Sequence, residues 1–182
     1  MADRYAGFAD FVAARGPALM RTASLLTGDR GHAEDALQEA LTKAALKWPS
    51  ISRDGNPEPY VRQALYTVVI DRWRWRSRRA TEALGDLPDH ASPNDYSADA
   101  DRRLVLREAL TRLTPRQRQV LVLRFYEDLT ETETAHAMHC STSTVKSQTR
   151  HALARLRELA PELAGTFDRA TPAADTTEEV RA

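Results

Sequence analysis

Residues 114–150, TPRQRQVLVLRFYEDLTETETAHAMHCSTSTVKSQTR, carry their own punctuation. Thr114-Pro115-Arg116-Gln117 reads as a capping box with proline at the first helical position, where a missing N–H is harmless. Val120, Leu121, Leu123 and Phe125 then supply the side to be buried. Thr130-Glu131-Thr132-Glu133 is a second capping box and opens a short helix through Ala135 and Met138. A tight turn at His139-Cys140 leads to Ser141, whose hydroxyl can cap a longer helix reaching Leu156 or beyond. Short helix, tight turn, longer basic helix is the pattern of a helix-turn-helix.

At about 100° per residue, the last helix places Val145, Thr149, Ala152, Leu153 and Leu156 on one side. Ser143, Lys146, Ser147, Arg150 and Arg157 fall on the other. A helix entering the major groove needs that division: apolar residues anchor it, short polar and basic side chains near its start reach base edges, and later arginines meet phosphates. For a lone amphipathic helix, a solvated charged face would be the default reading. Two caps and the intervening turn shift it to DNA binding.

Upstream, residues 81–101 change character. TEALGDLPDHASPNDYSADAD carries Glu82, Asp86, Asp89, Asp95, Asp99 and Asp101 with no Lys or Arg, and two prolines. Such a stretch buries little apolar area and reads as a flexible acidic linker. Before it lies a second helical block. Phe8, Phe11, Val12, Leu19, Ala23 and Leu26 form an apolar face, with Gly16-Pro17 a candidate break or kink. Gly28 can take the left-handed position that ends this helix, and Asp29 can cap the next. Ala33, Ala36, Leu37, Ala40, Leu41, Ala44 and Trp48 then repeat at helical spacing, and Pro49 is expected to end the run. Asp35, Gln38, Glu39, Thr42 and Leu46 lie on the opposite side, where a leucine among acids and amides suits a protein-binding surface. SRDGNPEP, residues 52–59, reads as a loop. A further helix begins near Tyr60 and runs into DRWRWRSRR at 71–79.

That run holds Arg72, Arg74, Arg76, Arg78 and Arg79, with Trp73 and Trp75 between them. Arginines at this density can neutralise phosphates, and tryptophans can stack on unpaired bases. The two tryptophans lie about 200° apart on an ideal helix, so one is expected in the core, in line with Val61, Ala64 and Val68, and the other exposed. A cluster of solvated arginines beside one core tryptophan is the plainer alternative.

The chain has 182 residues with 26 basic and 26 acidic side chains, so the basic clusters are balanced elsewhere, chiefly by the linker and tail. Scarce glycine and few aromatics favour helices over sheets. A single cysteine, Cys140, precludes an internal disulfide and fits a reducing cytoplasm. The N-terminus lacks the apolar core of a signal peptide, and no apolar run could span a bilayer. His136, His139 and Cys140 lack a fourth ligand at zinc spacing, and no nucleophile–base–acid set or glycine-rich phosphate loop stands out. No enzyme, cofactor, metal or small-molecule substrate is expected. The expected organisation is all-α: residues 1–80 one helical bundle, 81–101 linker, 102–160 the helix-turn-helix domain, and 161–182 a polar, disordered tail.

Three segments in this order resemble the extracytoplasmic-function (ECF) sigma factors of bacterial RNA polymerase, small members of the sigma-70 family. LTGDRGHAEDALQEALTKAALKW (26–48) is similar to their core-polymerase-binding segment. PYVRQALYTVVIDRWRWRSRR (59–79) is similar to the element that opens and reads the −10 promoter region. Residues 113–158 resemble the sigma-4 domain, whose last helix reads the −35 element. The resemblance covers roughly residues 5–160, with 1–80 as sigma-2 and 102–160 as sigma-4.

It implies partners and roles residue by residue. Asp35, Gln38, Glu39, Thr42 and Leu46 would face core polymerase. Thr67, Arg72, Trp73, Arg74, Trp75, Arg76, Arg78 and Arg79 would meet −10 DNA. Ser143, Thr144, Lys146, Ser147 and Arg150 would lie at the −35 major groove, and an anti-sigma factor would be a further partner. The linker would thread polymerase near its cleft and RNA exit path. The chain departs from the family pattern in Thr67 where Asn is frequent, in His139 for a turn glycine, and in Thr134 and Ser143 where Ile and Gly are common. A stand-alone helix-turn-helix regulator with an N-terminal sensing domain is the main alternative, and an adaptor with a basic cluster is another.

Overall fold

Helix boundaries in the computed structural model follow the caps that the sequence supplies. The structure describes residues 4–53, 55–80 and 98–163. Seven α-helices occur in this region: α1 (Phe8–Thr27), α2 (Arg30–Ile51), α3 (Glu58–Ala80), α4 (Ala98–Thr111), α5 (Pro115–Leu121), α6 (Glu131–Met138) and α7 (Thr142–Leu159). The Asp29 carboxylate accepts from the His32 N–H at 2.7 Å and starts α2. Both capping boxes form, at Thr114/Gln117 and at Thr130/Glu133. Ser141 caps α7 through the Thr144 N–H at 3.2 Å. His139 ends α6 at φ 50°, the left-handed conformation that a glycine would take without strain.

Two expected breaks are absent. α1 continues through Gly16-Pro17, where the carbonyl freed by proline belongs to the exposed Ala13. Instead of stopping at Pro49, α2 reaches Ile51. Only one backbone bond is forfeited so near the end, and serines occupy the last carbonyls: Ser50 Oγ donates to Lys47 O, while Ser52 N and Oγ donate to Trp48 O. The expected linker and tail boundaries also differ at their edges. α4 begins at Ala98, and residues 81–97 lie outside the described residues. A 3-10 turn at Pro161–Leu163 buries Leu163, and 164–182 lie outside the described residues.

α1, α2 and α3 form the first bundle. A stripe of Ala33, Ala36, Ala40 and Ala44 lets α2 lie close to Leu19, Ala23 and Leu26 of α1 and to Val61, Leu65 and Val68 of α3. Trp48 closes the end of the bundle. Its ring meets Phe8 edge-on at 5.0 Å, and its Nε1–H donates to Ala6 O. The second bundle packs α7 on α5 and α6 through Val145, Ala152, Leu153 and Leu156 against Val120, Leu121, Ala135 and Met138. Between α5 and α6 the chain widens into one π-helical turn, Val122–Tyr126, closed by Glu127 N–H to Val122 O at 3.0 Å.

The bundles are not separate. α5 packs on α1 and α6 packs on α3, so their cores merge into one.

Thr134 is fully buried and its hydroxyl has no hydrogen-bond partner among the described residues. A buried, unsatisfied hydroxyl costs about 1–3 kcal/mol. Thr134→Val keeps the shape and removes the donor; urea unfolding should show a gain of about 1 kcal/mol.

Candidate nucleic-acid and partner interfaces

α7 presents the division its sequence implies. Val145, Ala152, Leu153 and Leu156 are buried, whereas Ser143, Lys146 and Arg150 are exposed. At its start the hydroxyls form a small network: Ser141 Oγ lies 2.8 Å from Ser143 Oγ and 2.9 Å from Thr144 Oγ1. Ser147 Oγ donates to Thr144 O and is half-buried. Lys146 Nζ pairs with Glu131 of α6 at 3.3 Å, an exposed contact worth at most about 1 kcal/mol and readily exchanged for a phosphate. The first two turns thus offer hydroxyls and two cations to one surface.

The last turns of α3 offer a second basic surface. Arg74, Trp75, Arg76 and Arg78 are exposed, and Trp75 retains 53% of its area. Trp73 is half-buried, lining a small cleft with Ile70, Arg116, Met138 and His139. One tryptophan therefore packs and the other faces outward. Arg76 Nη1 lies 2.6 Å from His32 Nε2, and Arg78 Nε reaches Arg74 O. Arg79 lies on α3 one residue before its end. Thr67 is half-buried, and its hydroxyl donates back to Gln63 O at 2.9 Å.

Arg72 sits apart from its neighbours in the run. Its guanidinium turns to α2, donating to Glu39 Oε2 at 2.8 and 3.0 Å and lying 3.6 Å from Asp35. The α2 surface otherwise matches the sequence: Asp35, Gln38, Thr42 and Leu46 are exposed, Leu46 at 64%. Glu39 is held below the usual carboxylate range by hydrogen bonding from Lys43 first, with Arg72 adding to it against burial.

Sequence reasoning missed a third constellation, between the bundles. Glu127, with a side chain only 3% exposed, accepts hydrogen bonds from Thr22 Oγ1 at 2.7 Å, from Arg62 and from the Tyr66 hydroxyl. Arg62 is also gripped by Glu58, at 2.8 and 2.9 Å. Burial works to lower the Arg62 pKa, but the bonds to Glu58 and the charge of Glu127 outweigh it and raise it. Burial, and then Glu127, push the Tyr66 phenol up. Arg118 is buried with no carboxylate partner among the described residues. Its guanidinium donates to Leu26 O and Thr27 O at the end of α1, and to Leu110 O and Thr111 O at the end of α4. Burial brings its pKa down to about 10, which leaves it charged at neutral pH. The signal was faint: Arg118 sits within the polar stretch Arg116-Gln117-Arg118-Gln119, and Glu127 resembles any loop acid.

Among the described residues no three His, Cys, Asp or Glu side chains converge as a metal site, and no helix is long and apolar enough to cross a membrane.

Comparison with known proteins gives this arrangement its context. The Sigma-70 region 2 family model matches residues 11–79, and the Sigma-70, region 4 model matches 109–158. The RNA polymerase sigma-E factor of Streptomyces coelicolor is 37% identical over 152 residues, covering 83% of this chain and 84% of that one. The ECF RNA polymerase sigma factor SigL of Mycobacterium tuberculosis is 31% identical over 157 residues, covering 81% and 85%. In fold, the chain is similar to the sigma factor RpoE, solved in complex with the anti-sigma factor NepR from Bartonella quintana. The TM-score is 0.66 at 24% identity, over 85% of this chain and 96% of that one. The chain belongs to the sigma-70 family, among its ECF members.

Glu39 offers a check on the α2–α3 contact. Its depressed pKa means that its stabilising contribution is complete above the ordinary carboxylate pKa and fades as pH falls through the lowered value. Carboxyl NMR titration should show Lys43→Ala moving Glu39 back toward normal further than Arg72→Ala does.

Proposed function

We propose that this chain is a sigma factor that brings core RNA polymerase to chosen promoters and starts transcription there. The exposed face of α2, with Asp35, Gln38, Glu39, Thr42 and Leu46, docks on polymerase. The end of α3, with Thr67, Arg72 to Arg76, Arg78 and Arg79, meets the −10 element and its opened strand. The start of α7, with Ser143, Thr144, Lys146, Ser147 and Arg150, enters the −35 major groove. Residues 1–80 are the sigma-2 unit and 102–160 the sigma-4 unit, and the acidic segment between them threads polymerase. Polymerase performs the chemistry, and this chain supplies recognition in the cytoplasm. An anti-sigma factor holds it in reserve; the similar RpoE was itself solved in complex with one, NepR.

The observation that carries this reading is the pairing, in one chain of the sigma-70 family, of two exposed basic surfaces on different bundles. One is rich in tryptophan and suits unpaired bases; the other is a capped helix suited to a groove. A stand-alone regulator would need neither the tryptophan-bearing surface nor a polymerase-facing α2.

Each neutralised phosphate contributes a salt slope of about −0.9, so the few cations on each surface bind weakly at cellular salt. Free protein is expected to hold promoter duplex poorly, by fluorescence anisotropy. Added to core polymerase on a genomic template, it should direct promoter-dependent run-off transcripts. Arg150→Ala should reduce them about tenfold, as the loss of one base-reading contact does. Deleting residues 164–182 should leave them unchanged. Nanomolar, sequence-specific binding without polymerase would overturn the proposal in favour of a regulator.

A further inference from the structure

Arginine cannot accept a hydrogen bond, and one contact between α2 and α3 turns on that fact. Arg76 Nη1, on the exposed end of α3, lies 2.6 Å from Nε2 of His32, in the first turn of α2. A guanidinium carries only donors, so Nε2 must be the bare, accepting nitrogen of a neutral imidazole. The ring proton then sits on Nδ1, 3.1 Å from Asp29 Oδ1, where the carboxylate charge favours it. The same oxygen accepts the His32 backbone N–H at 2.7 Å as the cap of α2. Asp29 and Arg76, one on each side of the ring, thus select a single tautomer.

Protonation reverses the sense of this contact. An imidazolium carries N–H at both nitrogens, so Nε2–H and the Arg76 N–H groups would face each other with nothing between them to accept. Two like charges at that separation repel, whereas an anionic oxygen set between them accepts from both. Arg76 is exposed and the His32 side chain keeps 38% of its area, so a DNA phosphate can reach the place. The neighbouring charges are otherwise engaged. Arg30 pairs with Glu34, Asp35 and Glu39 share Arg72, and Arg118 of α5 stops at the Leu26 and Thr27 carbonyls. Among the described residues, Asp29 and Arg76 are the charges left to the ring. Imidazole is the side chain whose charge ordinarily changes between about pH 5 and 8.

We propose that His32 and Arg76 form a proton-linked phosphate subsite on the −10 surface: neutral His32 holds Arg76 against α2, and the imidazolium and Arg76 together grip a backbone phosphate of DNA. This deepens the sigma-factor reading above and rests on it. Asp29 steadies the imidazolium from the Nδ1 side, leaving Nε2–H for the phosphate. Binding the phosphate takes up a proton, so DNA is held more tightly as pH falls below neutrality. Releasing Arg76 and adding a cation beside it act in the same direction.

Three measurements on the full-length chain test it. Long-range nitrogen–proton NMR at pH 8 should show His32 as the Nδ1–H tautomer, and the Nε2–H tautomer would overturn the contact. Fluorescence anisotropy then reads affinity for a labelled random-sequence duplex at about 50 mM salt, where phosphate contacts dominate. Lowering pH from 8 to 6 should tighten wild-type binding by about threefold or more beyond the change in His32→Gln, with a salt slope steeper by about 0.9. Glutamine keeps an acceptor for Arg76 and gains no charge, and the comparison cancels the other histidines. His32→Lys, a permanent cation, should bind at pH 8 as the wild type does at pH 6, which a merely structural histidine would not predict. Equal pH dependence in wild type and His32→Gln, with helical circular dichroism retained in both, overturns the subsite. Finally, run-off transcription with core polymerase separates the two ideas. If the duplex results hold and the wild type gives no transcripts, the subsite stands and the sigma reading fails. If transcripts appear and His32→Gln shares the pH dependence of duplex binding, the sigma reading stands and the subsite fails.

Discussion

A buried guanidinium with no carboxylate beside it among the described residues organises the joint between the two halves of this molecule. Taking a charge out of water costs several kcal/mol even after relaxation, so Arg118 is tolerable only if its N–H groups are satisfied. Four carbonyl oxygens do that, the last two of α1 and the last two of α4. Those carbonyls lie at the negative dipole ends of their helices, so one cation serves two helix termini. Much follows from that arrangement. α1 must stop at Thr27, the next residue must lack a Cβ, and α4 must stop at Thr111, within reach of α5.

Charge is segregated so that each basic region meets a different acid. Arg72 answers Glu39 and Asp35 across the first bundle, Arg62 answers Glu127 across the joint, and Lys146 answers Glu131 beside the turn. Of these, the Glu127 pair is the most buried and the Lys146 pair among the most exposed. Exposed pairs exchange partners at little cost, which suits a lysine that must leave for a phosphate; buried pairs resist exchange. Arg74 and Arg76 stay on the outside of α3. A neutral sum thus coexists with strongly basic surfaces.

Much of the local structure was legible in the residues. Capping boxes at Thr114 and Thr130, the Gly28-Asp29 punctuation and the Ser141 cap depend on groups within three or four positions of one another, and all form as read. The two sides of α7 follow from its 3.6-residue period alone. The prolines misled for a similar reason in reverse. Pro17 and Pro49 carry a local penalty, but each forfeits only one backbone bond, at Pro17 the one to the exposed Ala13 carbonyl, and the helices run on past both. The turn of Arg72 away from its run toward Glu39, thirty-three positions earlier, was not readable from spacing.

By itself the sequence determined most of the helical segments, though not α4, where several of them start, which faces are apolar and which carry cations. These are contests between near neighbours, decided by hydrogen bonds and side-chain period over a few residues. Only the tertiary structure decided that the bundles share a core, that Arg118 and Glu127 are buried in the joint, and that the two basic surfaces stand close together. Those outcomes depend on side chains 61 to 105 positions apart, brought together by the packing of whole helices, and no local pattern encodes such a meeting.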